Sequence, residues 1–138
     1  MSRSVHVPSG IFDSRPYGFA QVAIISMPSG DAIFVSGQVA WDADRNIVGI
    51  GDVGRQLRKS LENLATALAS VGAKLDDVGA LRLYIKQSHI LDGKAISDVL
   101  KDVFGDNPPS ASWIGVSSLA NEEFLIEVEP SMVFLPRT

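Results

Sequence analysis

The sequence predicts a single α+β domain in which two helices pack on one face of a β-sheet. Two observations carry this prediction. The segment 51–72 has the apolar spacing of an amphipathic helix, and several shorter segments alternate apolar and polar residues as strands do. With 138 residues, the chain is long enough for one hydrophobic core and too short for two. We therefore expect one domain over residues 1–138, with residues 1–16 as an irregular lead-in.

The helix prediction for 51–72 rests on apolar residues that recur at steps of three and four. They form one stripe on a 3.6-residue period and are Val53, Leu57, Leu61, Leu64, Leu68 and Val71. Asp52 is the expected N-cap, because its carboxylate can accept the free amide N–H groups of the first turn. Gly72 suits the position just past the last turn, where a positive φ is needed.

The other elements follow from alternation and from turn residues. Before the helix, strands are predicted at 19–26 and 32–40, paired as an antiparallel hairpin, with a short third strand as an option at 47–50. After it come a strand at 81–86, a second helix at 93–104, a strand at 111–116 and a last strand from 124 to 134 that Pro130 interrupts. This order gives two helices on one face of a single sheet.

The sheet face turned away from the helices carries a mixture of side chains that suits neither water nor a protein interior. The residues assigned to this face are Arg82, Tyr84, Trp113, Glu127 and Glu129. Aromatic side chains are costly to leave in water, and Arg and Glu are costly to bury unpaired. A subunit interface resolves both problems, so we expect homo-oligomerisation through this face, with polar clefts at the seams.

Composition and charge limit the classes of partner. A net charge of −4 argues against a nucleic-acid partner, because phosphates require a dense basic face. There is no cysteine, and no segment approaches the roughly 20 apolar residues that span a membrane. The first residues lack the apolar run of a signal peptide, so a cytoplasmic location is expected.

Two short motifs have the spacing of a cofactor site or a metal site, but each contains a residue that conflicts with that function. The segment 49–54 matches G-x-G-x-x-G, but Asp52 would place a negative charge where a pyrophosphate must lie. Asp42, Asp44 and Asn46 have the spacing of calcium ligands, but Ile47 occupies the position that demands Gly. We therefore expect no cofactor and no metal, and an ordinary turn at 42–46.

Four segments, taken in order, resemble the Rid (reactive intermediate deaminase, YjgF) family. They are FVSGQ at 34–38, LENL at 61–64, VGAKLDDV at 71–78 and IEVE at 126–129. The similarity runs from about Tyr17 to Phe134. It implies a chorismate-mutase-like α+β fold with one mixed sheet, which forms a homotrimer through its sheets and leaves three small-molecule clefts between subunits.

The resemblance also implies site residues. In the deaminating members, a glutamate on the last strand and backbone groups near the Ser-Gly-Gln segment place water for attack on an imine carbon. Glu127 corresponds to that glutamate and is the candidate catalytic residue, and Ser36 and Gly37 are candidate ligand-binding residues. The tyrosine usual in the family falls on Phe19, with Tyr17 two residues away as a substitute.

One family residue is replaced in this chain. In the deaminating members, an arginine in a Pro-x-Arg-Ser segment grips the substrate carboxylate through two parallel hydrogen bonds. Here that position is Ala111, and Trp113 stands where the family commonly has a small residue and would narrow or cap the cleft. Without a replacement, the lost clamp should cost about 2 to 4 kcal/mol. Arg82, which is expected on the same open face of the sheet as Ala111, is a candidate surrogate; the alternative is a structural Arg–Glu pair.

Three functional hypotheses follow. The first is a Rid-family small-molecule binding protein with inter-subunit clefts and weak or no ordinary 2-imino acid deaminase activity. The second is an enamine or imine deaminase, a hydrolase, that acts on a different substrate with Glu127 handling water and Arg82 holding the anion. The third is an endoribonuclease, against which the acidic charge balance counts.

Overall fold

The computed structural model describes residues 2–138 and contains one six-stranded sheet in the order β1-β2-β3-β6-β4-β5, with two α-helices packed against one face. The strands are β1 (Arg3–His6), β2 (Val22–Met27), β3 (Gly30–Val35), β4 (Val78–Lys86), β5 (Ser110–Val116) and β6 (Ile126–Pro136), and the helices are α1 (Val53–Ala69) and α2 (Gly93–Phe104). Only β4 and β5 pair in parallel. The expected α+β fold with one mixed sheet is confirmed.

Helix α1 begins at the predicted N-cap and ends at Ala69, three residues before the predicted Gly72. The Asp52 carboxylate accepts a hydrogen bond from the Arg55 backbone N–H at 3.0 Å, and Gly72 has a φ of 79°. The leucine stripe of α1 is fully buried against the sheet, and Ile96 and Val99 of α2 join the same core. The core therefore lies between the two helices and one face of the sheet.

The connections explain why the last strand is central. β2 and β3 form a hairpin in which Met27 pairs with Gly30. β3 and β4 are both antiparallel to β6, so the chain crosses over β6 through α1 before β6 is added between them. The open face of the sheet is left without a covering layer, and among residues 2–138 no helix is long and apolar enough to cross a membrane.

Two predictions about the edges of elements are wrong. Residues 1–16 are not wholly irregular, because Arg3–His6 form β1 and pair with β2, with Val5 opposite Ala23. The optional strand at 47–50 is reduced to one bridge between Trp41 and Ile47. Gly49, with a φ of 83°, bends the chain out of the extended conformation there.

Pro130 does not interrupt the last strand, contrary to the prediction. β6 continues through it and pairs with β4, where Pro130 lies opposite Leu81; the register shifts directly after it, because the next pair is Met132 with Ala80. The ladder from β6 to β3 covers only Phe134–Pro136, so Pro130 falls where no ladder to β3 forms. A proline without an N–H is tolerated in such a stretch.

The assignment of Ala111 and Trp113 to the open face is also wrong. In the β4–β5 register, Ala111 lies opposite Leu81 and Trp113 opposite Leu83, both of which point toward the helices. A Cβ placed on Gly93, at the start of α2, would lie 3.5 Å from the Trp113 ring. The error arose because β5 is an edge strand with both faces partly exposed, so its apolar residues do not reveal its orientation.

Candidate functional site

A cavity of about 290 Å³ opens beside the end of β3 and contains one charged side chain, Glu127. We call it the aromatic cavity. It is lined by Phe12, Tyr17, Phe19, Gly37, Val39, Trp41, Ala120, Phe124 and Glu127. Glu127 lies opposite Tyr84 in the β4–β6 register, on the face of the sheet away from the helices. An apolar cavity with a single polar group is the usual form of a small-molecule site.

The structure brings together four of the residues predicted from sequence and separates the others. Tyr17, Phe19, Gly37 and Glu127 all line the aromatic cavity. A second set, Ser36 and Arg82, lines a neighbouring depression of about 390 Å³ on the open face. Ala111 and Trp113 belong to the helix side of edge strand β5 and line neither cavity.

The Glu127 carboxylate packs against Gly37, where a larger residue would collide with it. A Cβ placed on Gly37 would lie 2.5 Å from Glu127 Oε2 and 2.8 Å from its Cδ, so the carboxylate rests directly against the Gly37 backbone. No Lys, Arg or His of residues 2–138 forms an ion pair with it. Burial raises the pKa of the Glu127 carboxyl, and the charge of nearby Glu129 raises it further. A raised pKa makes this carboxylate a stronger base than an exposed glutamate.

Edge-to-face aromatic contacts make the walls of the aromatic cavity rigid. The rings of Phe12 and Trp41 are 4.9 Å apart between centroids, and those of Trp41 and Phe124 are 5.2 Å apart. Both pairs are nearly perpendicular, the arrangement that ring quadrupoles favour. A cavity lined by aromatic side chains suits a planar or apolar ligand.

Buried Asn63 of α1 holds the segment that follows β3. Its side-chain N–H groups donate to the carbonyl oxygens of Val39 at 2.9 Å and Trp41 at 2.8 Å. The Trp41 carbonyl gains its hydrogen-bond partner in this way, and the Val39 carbonyl gains a second one beside the Trp41 backbone N–H, so Asn63 ties the backbone on both sides of Ala40 to α1. This contact explains why an asparagine occurs in the otherwise apolar stripe of the LENL segment.

Buried glutamines fix the other walls in the same way. Gln56 of α1 donates to the Glu123 carbonyl at 2.8 Å and accepts from the Leu125 N–H at 2.8 Å, so it anchors the turn that carries Phe124. Gln21 donates to the Phe12 carbonyl at 3.2 Å. Each wall is thus tied to the core by a side chain that a ligand does not need to touch.

Arg82 forms the structural Arg–Glu pair that the sequence analysis offered as one alternative. Its Nη1 lies 3.3 Å from Glu129 Oε1, and Tyr84 donates its hydroxyl proton to the same oxygen at 2.9 Å. That hydrogen bond, together with burial and the Glu129 charge, raises the pKa of Tyr84. Half of the Arg82 side chain remains exposed to the neighbouring depression.

Sequence reasoning missed five lining residues: Phe12, Val39, Trp41, Ala120 and Phe124. Phe12 lies in the segment predicted as an irregular lead-in, and Trp41 lies between the strand predicted at 32–40 and the turn predicted at 42–46. The available signal was an isolated large aromatic residue in a loop, which is costly to expose and therefore indicates a local contact.

Comparison with known proteins places the chain in a family. A family model described as Endoribonuclease L-PSP matches residues 15–133. A RutC family protein of Pyrococcus abyssi is 32% identical over 100 residues, covering 72% of this chain and 76% of the relative. A 2-iminobutanoate/2-iminopropanoate deaminase of Dermatophagoides farinae is 27% identical over 104 residues, covering 75% of this chain and 79% of the relative.

Solved structures of similar proteins share this fold. A Rid family protein of unknown function from Yersinia pestis, YyfB, superimposes with a TM-score of 0.70 at 34% identity, covering 98% of this chain and all of that one. Protein YJGH superimposes with a TM-score of 0.81 at 24% identity over the full length of both chains. The match of the family model over most of the chain and the shared fold establish that this chain belongs to the Rid (YjgF/RutC) protein family.

Proposed function

We propose that this chain is a small-molecule binding member of the Rid family with weak or no activity on ordinary 2-imino acids. One observation carries the proposal: the aromatic cavity contains the Glu127 carboxylate and no cationic side chain. Residue 111, where the deaminating members of the family have their carboxylate-binding arginine, is alanine. The cavity therefore suits a ligand whose bound portion is neutral or cationic.

Charge repulsion from Glu127 disfavours binding of a short anionic substrate. In a 2-imino acid the carboxylate is attached directly to the imine carbon, so placing that carbon beside Glu127 brings two negative charges to within about 5 Å. At an effective dielectric constant of 20, this costs about 3 kcal/mol. With no guanidinium to offset the cost, binding weakens by about a hundredfold.

We further propose that the ligand binds between subunits of a homotrimer, and two features support this. Ala111 and Glu127 lie on opposite faces of the sheet within one protomer. Because the family resemblance implies that both positions serve one cleft, they can meet only across a subunit boundary. The open face also exposes Phe34 by 53% and Met132 by 60%, and a second copy would bury such side chains.

Hydrolysis of a different enamine or imine is the second candidate, and the raised pKa of Glu127 favours it. A carboxyl of this kind can act as a general base toward water and then as an acid toward the leaving amine. In this version, Arg82 would bind an anion in the neighbouring depression beside Ser36. Endoribonuclease activity, which the description of the family model names, is disfavoured by the net charge of −4.

An imine-trapping assay tests the proposal. An amino-acid oxidase would generate 2-iminobutanoate in the presence of semicarbazide, and 2-oxobutanoate released by the added protein would be measured. We expect the wild type and Glu127→Gln to give the same rate, and Ala111→Arg to gain an activity that the double variant with Glu127→Gln loses. A wild-type rate well above that of Glu127→Gln would contradict the proposal and favour the hydrolase.

A further inference from the structure

The turn that follows Trp41 presents an arginine in an unusual backbone conformation. Asp42 Oδ1 accepts hydrogen bonds from the backbone N–H groups of Asp44 and Asn46, both at 2.9 Å, and this closes the turn. Arg45 lies between them with a φ of 64°, in the left-handed region. Glycine or asparagine fits that region with less strain than arginine does, so the turn itself does not explain the presence of arginine at this position.

The Arg45 guanidinium is held by Tyr17. Its Cζ lies 5.8 Å from the centroid of the Tyr17 ring, and Nη1 donates a hydrogen bond to the Tyr17 hydroxyl oxygen. No carboxylate of residues 2–138 forms an ion pair with Arg45. A positioned guanidinium with unused N–H donors is a ready site for an anion.

Arg45 faces a cavity that adjoins the aromatic cavity. This second cavity, of about 280 Å³, shares the Phe12 and Tyr17 rings with the aromatic cavity. Its one carboxylate, Asp13, is held by Arg15 through two nitrogens at 2.7 to 3.2 Å. That contact lowers the pKa of Asp13 to about 2, so the pair stays neutral as a unit and Arg45 gives this cavity its uncompensated positive charge.

From this arrangement we propose that Arg45 is the anion-binding residue of the site, and that the ligand has a planar or apolar part in the aromatic cavity and a carboxylate or phosphate at its far end. This inference rests on the proposed function, since it assumes that the aromatic cavity binds a ligand. Arg45 does not line the aromatic cavity, and Glu127 does not line the second one. The anion therefore binds in a different cavity from the group beside Glu127, and the two cavities share the Phe12 and Tyr17 rings.

The inference specifies a class of ligand. A 2-imino acid, whose carboxylate adjoins the reacting carbon, is too short to satisfy both ends. An anion on a flexible arm of several atoms avoids the repulsion from Glu127 and gains charge-assisted hydrogen bonds to the Arg45 fork. The expected ligand is an aryl- or heteroaryl-alkanoate or a phosphate ester of similar length.

Matched probes of equal shape test the role of Arg45. The probes are 4-phenylbutanoate and the neutral 4-phenylbutanamide. Binding is followed by NMR through the Trp41 indole N–H and the Gly37 amide, and the Gly105 amide serves as a distant reference. At low salt we expect the carboxylate to bind about fivefold to tenfold tighter than the amide. The preference should disappear in Arg45→Gln, with amide binding unchanged.

Two further variants distinguish loss of the Arg45 guanidinium from an effect of the substitution on folding. Arg45→Gly relieves the left-handed strain, so it should fold at least as stably as the wild type and still lose the preference for the carboxylate. Arg58→Gln removes one charge from an exposed arginine of α1 that pairs with Asp102, and it should retain the preference.

The outcomes separate this inference from the proposed function. Equal binding of the two probes to the wild type, or a preference that survives in Arg45→Gln, would overturn the role of Arg45 while leaving the aromatic cavity as the ligand site. If neither probe shifts the Trp41 and Gly37 resonances, the aromatic cavity does not bind ligands of this class, and both the inference and the proposed site fail.

Discussion

Substitution of Gly37 by alanine should displace the Glu127 carboxylate without unfolding the protein. The new Cβ would lie 2.5 Å from Oε2, so that oxygen must retreat by about 0.9 Å to reach the 3.4 Å at which ordinary contact begins. Because the displaced atoms end a flexible side chain, the cost should be near the lower limit for overpacking, about 1 kcal/mol. The carboxylate moves toward solvent, so its pKa should fall toward the usual glutamate value of about 4.5.

Gly79→Ala is a matched control for this change. A Cβ placed on Gly79 meets its nearest atom, Met132 Cγ, at 3.5 Å, which is ordinary contact. This variant should be neutral or more stable by up to about 1 kcal/mol, because alanine restricts the unfolded chain. Urea unfolding of both variants gives the difference in the free energy of unfolding.

An NMR pH titration of the Glu127 side-chain carboxyl carbon, assigned with Glu127→Gln, gives the pKa. We expect a raised value in the wild type and in Gly79→Ala, and a lower one in Gly37→Ala. If Gly37→Ala leaves both the Glu127 pKa and probe binding at the Trp41 indole unchanged, then the carboxylate does not rest against residue 37, and the description of the site is wrong.

Three further predictions concern the supports of the site. Asn63→Ala removes the donor to the Trp41 carbonyl and one of two donors to the Val39 carbonyl, and it should lower the free energy of unfolding by about 2 kcal/mol. Lys59→Ala on the same helix should change it little, and equal effects would contradict the role of Asn63. Asp52→Ala should cost about 1 kcal/mol in urea unfolding through loss of the N-cap, and Asp52→Asn should restore most of it. The pKa of Glu127 is raised on folding, so the folded state holds this proton more tightly than the unfolded state does. The stability of the wild type relative to Glu127→Gln should therefore fall as pH rises above about 4.5. A difference that stays constant with pH would show that Glu127 is not desolvated.

Local patterns in the sequence predicted the elements that carry strong periodicity. α1 and α2 were placed to within a few residues, because an apolar stripe with a cap at one end leaves little choice of register. Strand β1 was not predicted, since its four residues are largely exposed and its pairing with β2 is a tertiary contact that local spacing does not encode.

The candidate site was only partly predictable for a related reason. Gly37 and Glu127 follow from motifs in the resemblance, and they do meet in one cavity. The orientation of Trp113 could not be read from the sequence, because an edge strand exposed on both faces gives no alternation signal. Arg45 was missed because its importance depends on the Tyr17 ring beneath it, 28 residues away in the chain.

The most direct test of the central claim is the relative affinity of 2-oxobutanoate and its neutral amide for the aromatic cavity, read from the Gly37 amide and the Trp41 indole by NMR at pH 7.5. The two compounds have the same shape and differ in one negative charge next to the carbon that faces Glu127. With no cation in this cavity, the amide should bind at least tenfold more tightly than the acid. Tighter binding of the acid at these two reporters would show that a positive group reaches the cavity, and would contradict the account.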